Sequence, residues 1–255
     1  MASIPTGRVI ERLDYYLDRN DFASAERHLL YWLSEASAIS DDRGAFAVLN
    51  ELVGFYRKTG KKTQAYETVD RLLSLIESAE MDGTVSSATA YINAATAYKS
   101  FGDAESALPL YEEAKKIYEA NLSPSDGRLG GLYNNMALAL SDLGRFRDAE
   151  RLFFEAVDVM KKVEGGELEE AITYLNLAEL YEREYGFSEA EAKISECLDT
   201  AEALLSKETL KKDGYFVFVT EKCYPTFDYY GRFAFAAKLK REAEAIREEI
   251  KGEGT

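Results

Sequence analysis

The chain is poor in the residues from which catalytic and metal sites are usually built. Its 255 residues include one histidine, two cysteines, one tryptophan and four prolines. A lone His28 excludes multi-histidine metal sites and paired-histidine mechanisms, and any Ser–His–Asp or Cys–His arrangement would have to use it. Cys197 and Cys223 stand 26 residues apart and have no metal-type spacing. Basic charge is also scarce, with 31 Lys and Arg against 46 Asp and Glu and a net charge of −15. Binding to a phosphate backbone depends on neutralising lysines and arginines, so nucleic acid is not expected as a partner. No apolar run approaches the roughly 20 residues of a membrane helix, so no membrane partner is expected either. The N-terminal Met1–Arg8 has no basic segment followed by an apolar stretch, which argues against a signal peptide. With its two unclustered thiols, the chain reads as cytoplasmic.

What is present is helical. Hydrophobic residues at 46% and charged residues at 30% suffice to bury a core and keep it in solution. Ala236, Leu239, Ala243, Ile246 and Ile250 form one stripe at the 3.6-residue period. The nearest strand-like run, Tyr215 to Val219, is apolar throughout and ambiguous by pattern. Aligning the chain with itself is more informative. Asn20-Asp21-Phe22-Ala23-Ser24-Ala25 matches Gly144 to Ala149 and Gly231 to Ala236. Gly60 to Ala65 and Gly102 to Ala107 share the glycine and alanine, and Tyr185 to Ala190 keeps the aromatic and alanine. The alanines 25, 65, 107, 149, 190 and 236 are separated by 40, 42, 42, 41 and 46 residues.

Each repeat therefore holds two helices joined at this punctuation. Glycine accepts the left-handed conformation at a helix C-terminus without a Cβ penalty, and a following Asp21 or Asp103 can cap the next helix. Alanine on the inner face lets helices approach closely. Twelve residues before the alanine lies another small residue, Ala95, Ala137 or Ala178, and four before that an aromatic, Tyr91, Tyr133 or Tyr174. Seven residues after the alanine comes Ala114, Ala156 or Cys197. This pattern resembles the tetratricopeptide repeat, with tyrosine where that family often has tryptophan. The period is longer than the family's usual length of about 34, and is similar to that of kinesin light chains and some bacterial peptide-sensing regulators. The first two repeats carry Leu13 and Val53 at the small position, and the sixth carries Tyr224 followed by Pro225.

The resemblance implies an all-α, right-handed superhelical solenoid of about six helix-turn-helix repeats. It is expected to form one domain over residues 1–255, with repeats near 6–43, 44–84, 86–124, 128–164, 168–206 and 214–251. The last repeat is divergent and is expected to act as a cap, its final helix covering the exposed core of the solenoid. Proline lacks an N–H and clashes with the preceding turn, so Pro225 is expected to bend or break the first helix of that repeat.

No catalytic arrangement emerges. The stretch Gly54 to Lys62 superficially resembles a phosphate-binding loop, but it has five residues between its glycines and a lysine where Ser or Thr is needed. Acidic pairs such as Glu169-Glu170 and Glu248-Glu249 are what the solvated faces of an acidic helical protein supply. His28 falls early in the second helix of the first repeat, where a partly exposed surface role is expected. Cys197 replaces alanine at a packing position. Cys223 has two readings, core packing or membership of a functional Cys223–Pro225 region.

The first helices of such a fold line a concave surface that takes extended peptides or partner helices. Two residues before the small alanine, three successive repeats carry Asn93, Asn135 and Asn176, and Asn50 and Asn134 lie one position earlier in their repeats. Asparagine is a mediocre helix former, but its amide offers a donor and an acceptor to a peptide backbone. In the family, asparagines at this position commonly bind ligand backbone; the other reading is that they bond neighbouring helices or water. Flanking positions hold Arg57, Lys99, Glu179, Glu182 and Arg183, a mixture of signs. Lys222 matches one position of the basic set with which chaperone-tail adaptors grip carboxylates, but its neighbour is Phe218. The expected function is a non-catalytic protein- or peptide-binding scaffold without cofactor or metal, and the oligomeric state stays open. The alternatives are a peptide-responsive sensor that changes superhelical pitch and, more distantly, an enzyme. Regulators of the sensor kind usually carry a DNA-binding helix-turn-helix segment, and none precedes residue 8, so such a signal would pass through another protein.

Overall fold

The computed structural model describes residues 2–253, with side chains described through Ile250. Among the described residues the chain forms twelve α-helices and no strand. They pair in sequence as α1 (Thr6–Asp18) with α2 (Phe22–Ala38), α3 (Asp42–Lys58) with α4 (Lys62–Ser78), and α5 (Val85–Ser100) with α6 (Ala104–Asn121). Then follow α7 (Gly127–Asp142) with α8 (Phe146–Met160), α9 (Glu167–Tyr185) with α10 (Phe187–Leu205), and α11 (Gly214–Tyr229) with α12 (Phe233–Glu253). The helices gather into two compact units, Met1–Asn121 and Leu122–Thr255.

The turn at Gly102 shows how one hairpin is closed. Its φ is +81°, a conformation that costs a residue with a Cβ. The Gly102 N–H donates to the Lys99 carbonyl at 2.9 Å and the Asp103 N–H to the Tyr98 carbonyl at 3.0 Å. This is the paired bonding of a Schellman motif, which satisfies the last carbonyls of α5. Asp103 then turns its carboxylate to the next helix and accepts from the Ser106 N–H at 3.0 Å. Asp21 does the same for α2, accepting from the Ser24 N–H at 3.1 Å. One residue thus closes the first helix through its backbone and opens the second through its side chain.

In the N-terminal unit, α1, α3 and α5 pack side by side, α2 and α4 each pack on their own first helix and on the next, and α6 packs on α5. The alanines that set the period, Ala25, Ala65 and Ala107, are fully buried, as are Ala95 and Ala114. Leu13 and Val53 are buried too, so the first two hairpins fill the small position with larger apolar groups. In the C-terminal unit, α9 packs against α7, α8, α10 and α11. Ala137, Ala149, Ala156 and Ala178 have no exposed surface.

The last hairpin decides whether Pro225 breaks its helix and how the ambiguous run Tyr215–Val219 folds. Pro225 does not break α11, which continues from Gly214 to Tyr229. The proline ring lies on an exposed face, and the backbone ladder continues beyond it with Tyr230 N–H donating to the Thr226 carbonyl at 3.1 Å. The strand-like run Tyr215–Val219 is part of the same helix. The small buried side chain of this helix is Cys223, one residue before Tyr224, which is only half-buried.

Candidate functional site

The first helices present the asparagines to one another. In the N-terminal unit, Nδ2 of Asn93 on α5 donates to Oδ1 of Asn50 on α3 at 3.0 Å. In the C-terminal unit, Nδ2 of Asn176 on α9 donates to Oδ1 of Asn134 on α7 at 2.8 Å. The Thr173 hydroxyl stands 3.3 Å from the same Asn134 oxygen. Of the two readings of the asparagines, bonding between neighbouring helices is the one these two pairs display. The cause is the one-residue offset: an asparagine one position early on one helix comes level with the standard position on the next. Each pair uses one N–H and one oxygen, leaving the nitrogen of Asn50 or Asn134 and the oxygen of Asn93 or Asn176 without a protein partner among the described residues. All four side chains are half-buried. Asn135, also half-buried, makes no side-chain hydrogen bond among the described residues.

The charged positions separate in the same way. Arg57 is exposed and Lys99 half-buried. Beside Asn50, the Glu51 carboxyl is pushed above the usual range by burial and, to a lesser degree, by the charge of Asp14. Arg183 is committed to α7, its Nη1 donating to Oδ1 of Asp142 at 2.9 Å and to the Ser141 hydroxyl at 3.0 Å. Glu182 accepts from the hydroxyls of Tyr229 at 2.9 Å and Tyr230 at 2.7 Å. Glu179 accepts from the Thr226 hydroxyl at 3.3 Å.

Sequence reasoning named Lys222 and Phe218 but missed that they belong to one aromatic face of α11 beside these acids. Tyr215, Phe218, Lys222, Thr226 and Tyr229 follow one another at spacings of 3, 4, 4 and 3 residues, which puts them on one side of the helix. Tyr215, Phe218 and Tyr229 are 46%, 51% and 69% exposed. The Tyr215 and Phe218 rings stack at 6.1 Å, and Nζ of Lys222 sits 4.1 Å from the Phe218 centroid. The Tyr215 hydroxyl donates to Glu169, whose carboxyl burial pushes upward while Lys222 opposes the shift. The 3-4-4-3 spacing was the available signal.

The residues rich in chemistry lie elsewhere. His28 is half-buried, and its Nε2 is 2.9 Å from the Val9 carbonyl oxygen, tying α2 to α1. Cys197 and Cys223 are free and buried, and burial pushes both thiols up to about 12. Among the described residues no group of three or more His, Cys, Asp or Glu could hold a metal ion, and no helix is long and apolar enough to cross a membrane.

Six consecutive antiparallel helix pairs, with small residues where the pairs meet, define a helical-repeat solenoid protein. The family model of the tetratricopeptide repeat matches residues 44–120 and 129–203, more than half of the chain. The chain belongs to the tetratricopeptide repeat family. No curated protein matches its sequence. Among solved structures it is similar to BtubC (BKLC) from P. vanneervenii, with 20% identity, a TM-score of 0.69, and coverage of 81% of this chain and 85% of that one. A putative kinesin light chain from Podosopora anserina with nearly identical repeats is similar at 18% identity and a TM-score of 0.55, covering 79% and 94% of the two chains. A Rap protein complexed with Competence and Sporulation Factor is similar at 14% identity and a TM-score of 0.50, covering 94% and 74%. At these identities the likenesses speak for the fold.

Proposed function

We propose that the protein is a non-catalytic scaffold that binds an extended peptide or a segment of a partner protein along the face of its first helices. The observation that carries this reading is the recurrence of half-buried asparagine amides on these helices, Asn93, Asn135 and Asn176 at one register and Asn50 and Asn134 one position earlier. Each pair holds its two side chains in place and still leaves a donor and an acceptor, the two groups a peptide backbone needs. Asn135 adds an amide with both groups open. Pre-positioned amides lower the ordering cost that a bound peptide would otherwise impose on the site. The fold supports the same direction. The similar Rap protein is complexed with Competence and Sporulation Factor.

The test is capture of partners from native lysate by the wild-type chain, followed by binding measurements on Asn135→Ala with the recovered partner. Leaving a buried peptide polar group unpaired costs about 1–3 kcal/mol, so affinity should fall by roughly 5- to 150-fold. Unchanged affinity in a variant that melts like the wild type would remove the first-helix face as the binding site.

A further inference from the structure

We infer that the outer face of the first hairpin, formed by an arginine stripe on α1 and an aromatic row that crosses to α2, is a docking site for an acidic segment of a partner protein. This face is separate from the asparagine-bearing one, and the inference does not rest on that reading.

The repeat register locates the face. Arg8, Arg12, Tyr15 and Arg19 follow one another at spacings of 4, 3 and 4 residues, which puts them on one side of α1. At the 40-residue interval that separates Ala25 from Ala65, the equivalents of the first three are Val48, Leu52 and Phe55 on α3. All three are buried, and the Phe55 ring packs at 6.4 Å on Phe22 of the preceding hairpin. On α1 the same side is open: the three arginines are exposed and Tyr15 is 40% exposed. Where α3 buries apolar groups, α1 presents charge and a ring.

Two observations say what fits there. The first is charge. Among the described residues Arg8, Arg12 and Arg19 make no ion pair, although the chain carries a net charge of −15. The acids of α1, Glu11, Asp14 and Asp18, form another stripe about a quarter turn around the helix. Asp14 on that stripe adds to the burial that raises the Glu51 carboxyl on α3. Asp21 is turned to the cap of α2. On α2, the stripe of His28, Trp32 and Glu35 brings one exposed carboxylate, so the face holds three cations against one anion.

The second is the aromatic row. The rings of Tyr15, Tyr16, His28, Trp32 and Tyr31 adjoin in that order, with centroids 5.7, 5.8, 6.4 and 5.3 Å apart. Tyr31, at the far end, is 56% exposed. The Arg12 guanidinium lies 4.3 Å from the Tyr15 centroid and 4.8 Å from that of Tyr16, and the Arg19 guanidinium 3.7 Å from Tyr15. A neutral ring holds the cation without cancelling its charge. A stacked guanidinium also keeps N–H groups at its edge for the fork that grips a carboxylate. Arg8 to Arg19 spans about 16 Å of helix, the length of about five extended residues. Side chains of such a segment alternate, so acidic residues can face the arginines while apolar ones turn to the rings of α2.

The test uses a fluorescein-labelled peptide that alternates glutamate and leucine, its glutamine counterpart, and a labelled single-stranded thymidine oligonucleotide, read by fluorescence anisotropy. The glutamate peptide is expected to bind, more weakly as salt is raised, and the other two not measurably. Arg12→Gln should weaken the glutamate peptide by about two- to fivefold. Arg8→Gln, Arg12→Gln and Arg19→Gln combined should abolish binding, with circular dichroism unchanged. Arg241→Gln, at an exposed site on α12, should have no effect. No binding of the glutamate peptide up to about 1 mM would overturn the proposal. So would equal binding of the glutamine peptide or the oligonucleotide, or equal effects of Arg12→Gln and Arg241→Gln. None of these results touches the asparagine-bearing face, which Asn135→Ala tests with the recovered partner.

Discussion

Neighbouring glycines on α7 offer a sharp test of the packing. Gly130→Ala and Gly131→Ala make the same chemical change one residue apart, and alanine in a helix interior is favoured over glycine by about 0.8–1.0 kcal/mol. At Gly131 an added Cβ would meet nothing within 4 Å. That variant should gain about 1 kcal/mol and melt roughly 2–4 °C higher. At Gly130 the Cβ would lie 2.7 Å from Cε and 3.1 Å from Cγ of Met160, and 3.3 Å from the Ala156 carbonyl oxygen. The methionine methyl can swing aside, but the Ala156 backbone can yield only if α7 and α8 move apart. Overpacking of that kind costs about 1–3 kcal/mol. After the helix-propensity gain, Gly130→Ala should end about 0–2 kcal/mol below wild type. The assay is urea unfolding followed by far-UV circular dichroism, with the slopes compared to confirm that the same surface unfolds. Equal stabilisation by the two substitutions would refute the close approach of α7 and α8.

The remaining expectations concern caps, amides and thiols. Asn93→Ala and Asn176→Ala each remove an inter-helix hydrogen bond worth about 0.5–1.5 kcal/mol, partly offset by alanine's better helix propensity. Asn135→Ala gains the propensity alone, so thermal melts should rank it above the other two. Asp126 caps α7 through the Arg128 N–H at 3.0 Å and grips the Arg128 guanidinium at 2.7 and 2.9 Å, which holds its carboxyl down at about 2. Because that value is depressed in the fold, its contribution is present above the ordinary value of 3.8 and is lost as pH falls toward about 2. Asp126→Ala should accordingly cost about 1 kcal/mol near neutrality, and urea unfolding should show the gap closing in acid. With both thiols pushed up to about 12, Cys197 and Cys223 should resist a disulfide reagent at neutral pH in the folded protein and react together on unfolding. Reaction of Cys223 alone in the native state would return the Cys223–Pro225 region to consideration as a functional site.

The hairpin punctuation was legible because it is local. Gly102 must adopt positive φ and Asp103 must reach a nearby N–H, and both demands fall within six consecutive residues. The buried alanines were legible because close helix approach recurs at each repeat and leaves a period in the chain. The amide pairs were not, although Asn50 and Asn134 were visibly one position early. Their meeting with Asn93 and Asn176 depends on how adjacent first helices are staggered, which no single helix encodes. Pro225 was read through the bond it removes, but one missing N–H does not end a helix whose ladder resumes at the next turn, as the Tyr230 N–H to the Thr226 carbonyl shows. The α11 stripe was hidden by its setting, since Tyr215 and Phe218 are interleaved with the buried Phe216, Val217 and Val219, and the run reads as uniformly apolar.

The central claim, that ligand lies along the first helices, is tested most directly by site-specific photo-crosslinking. A benzophenone amino acid is placed at Asn135 on α7 in one sample and at the exposed Asp158 on α8 in another, and each is irradiated with the recovered partner. The account predicts strong crosslinking from position 135 and none from 158. Crosslinks from 158 with none from 135 would contradict it and move the binding surface to the second helices.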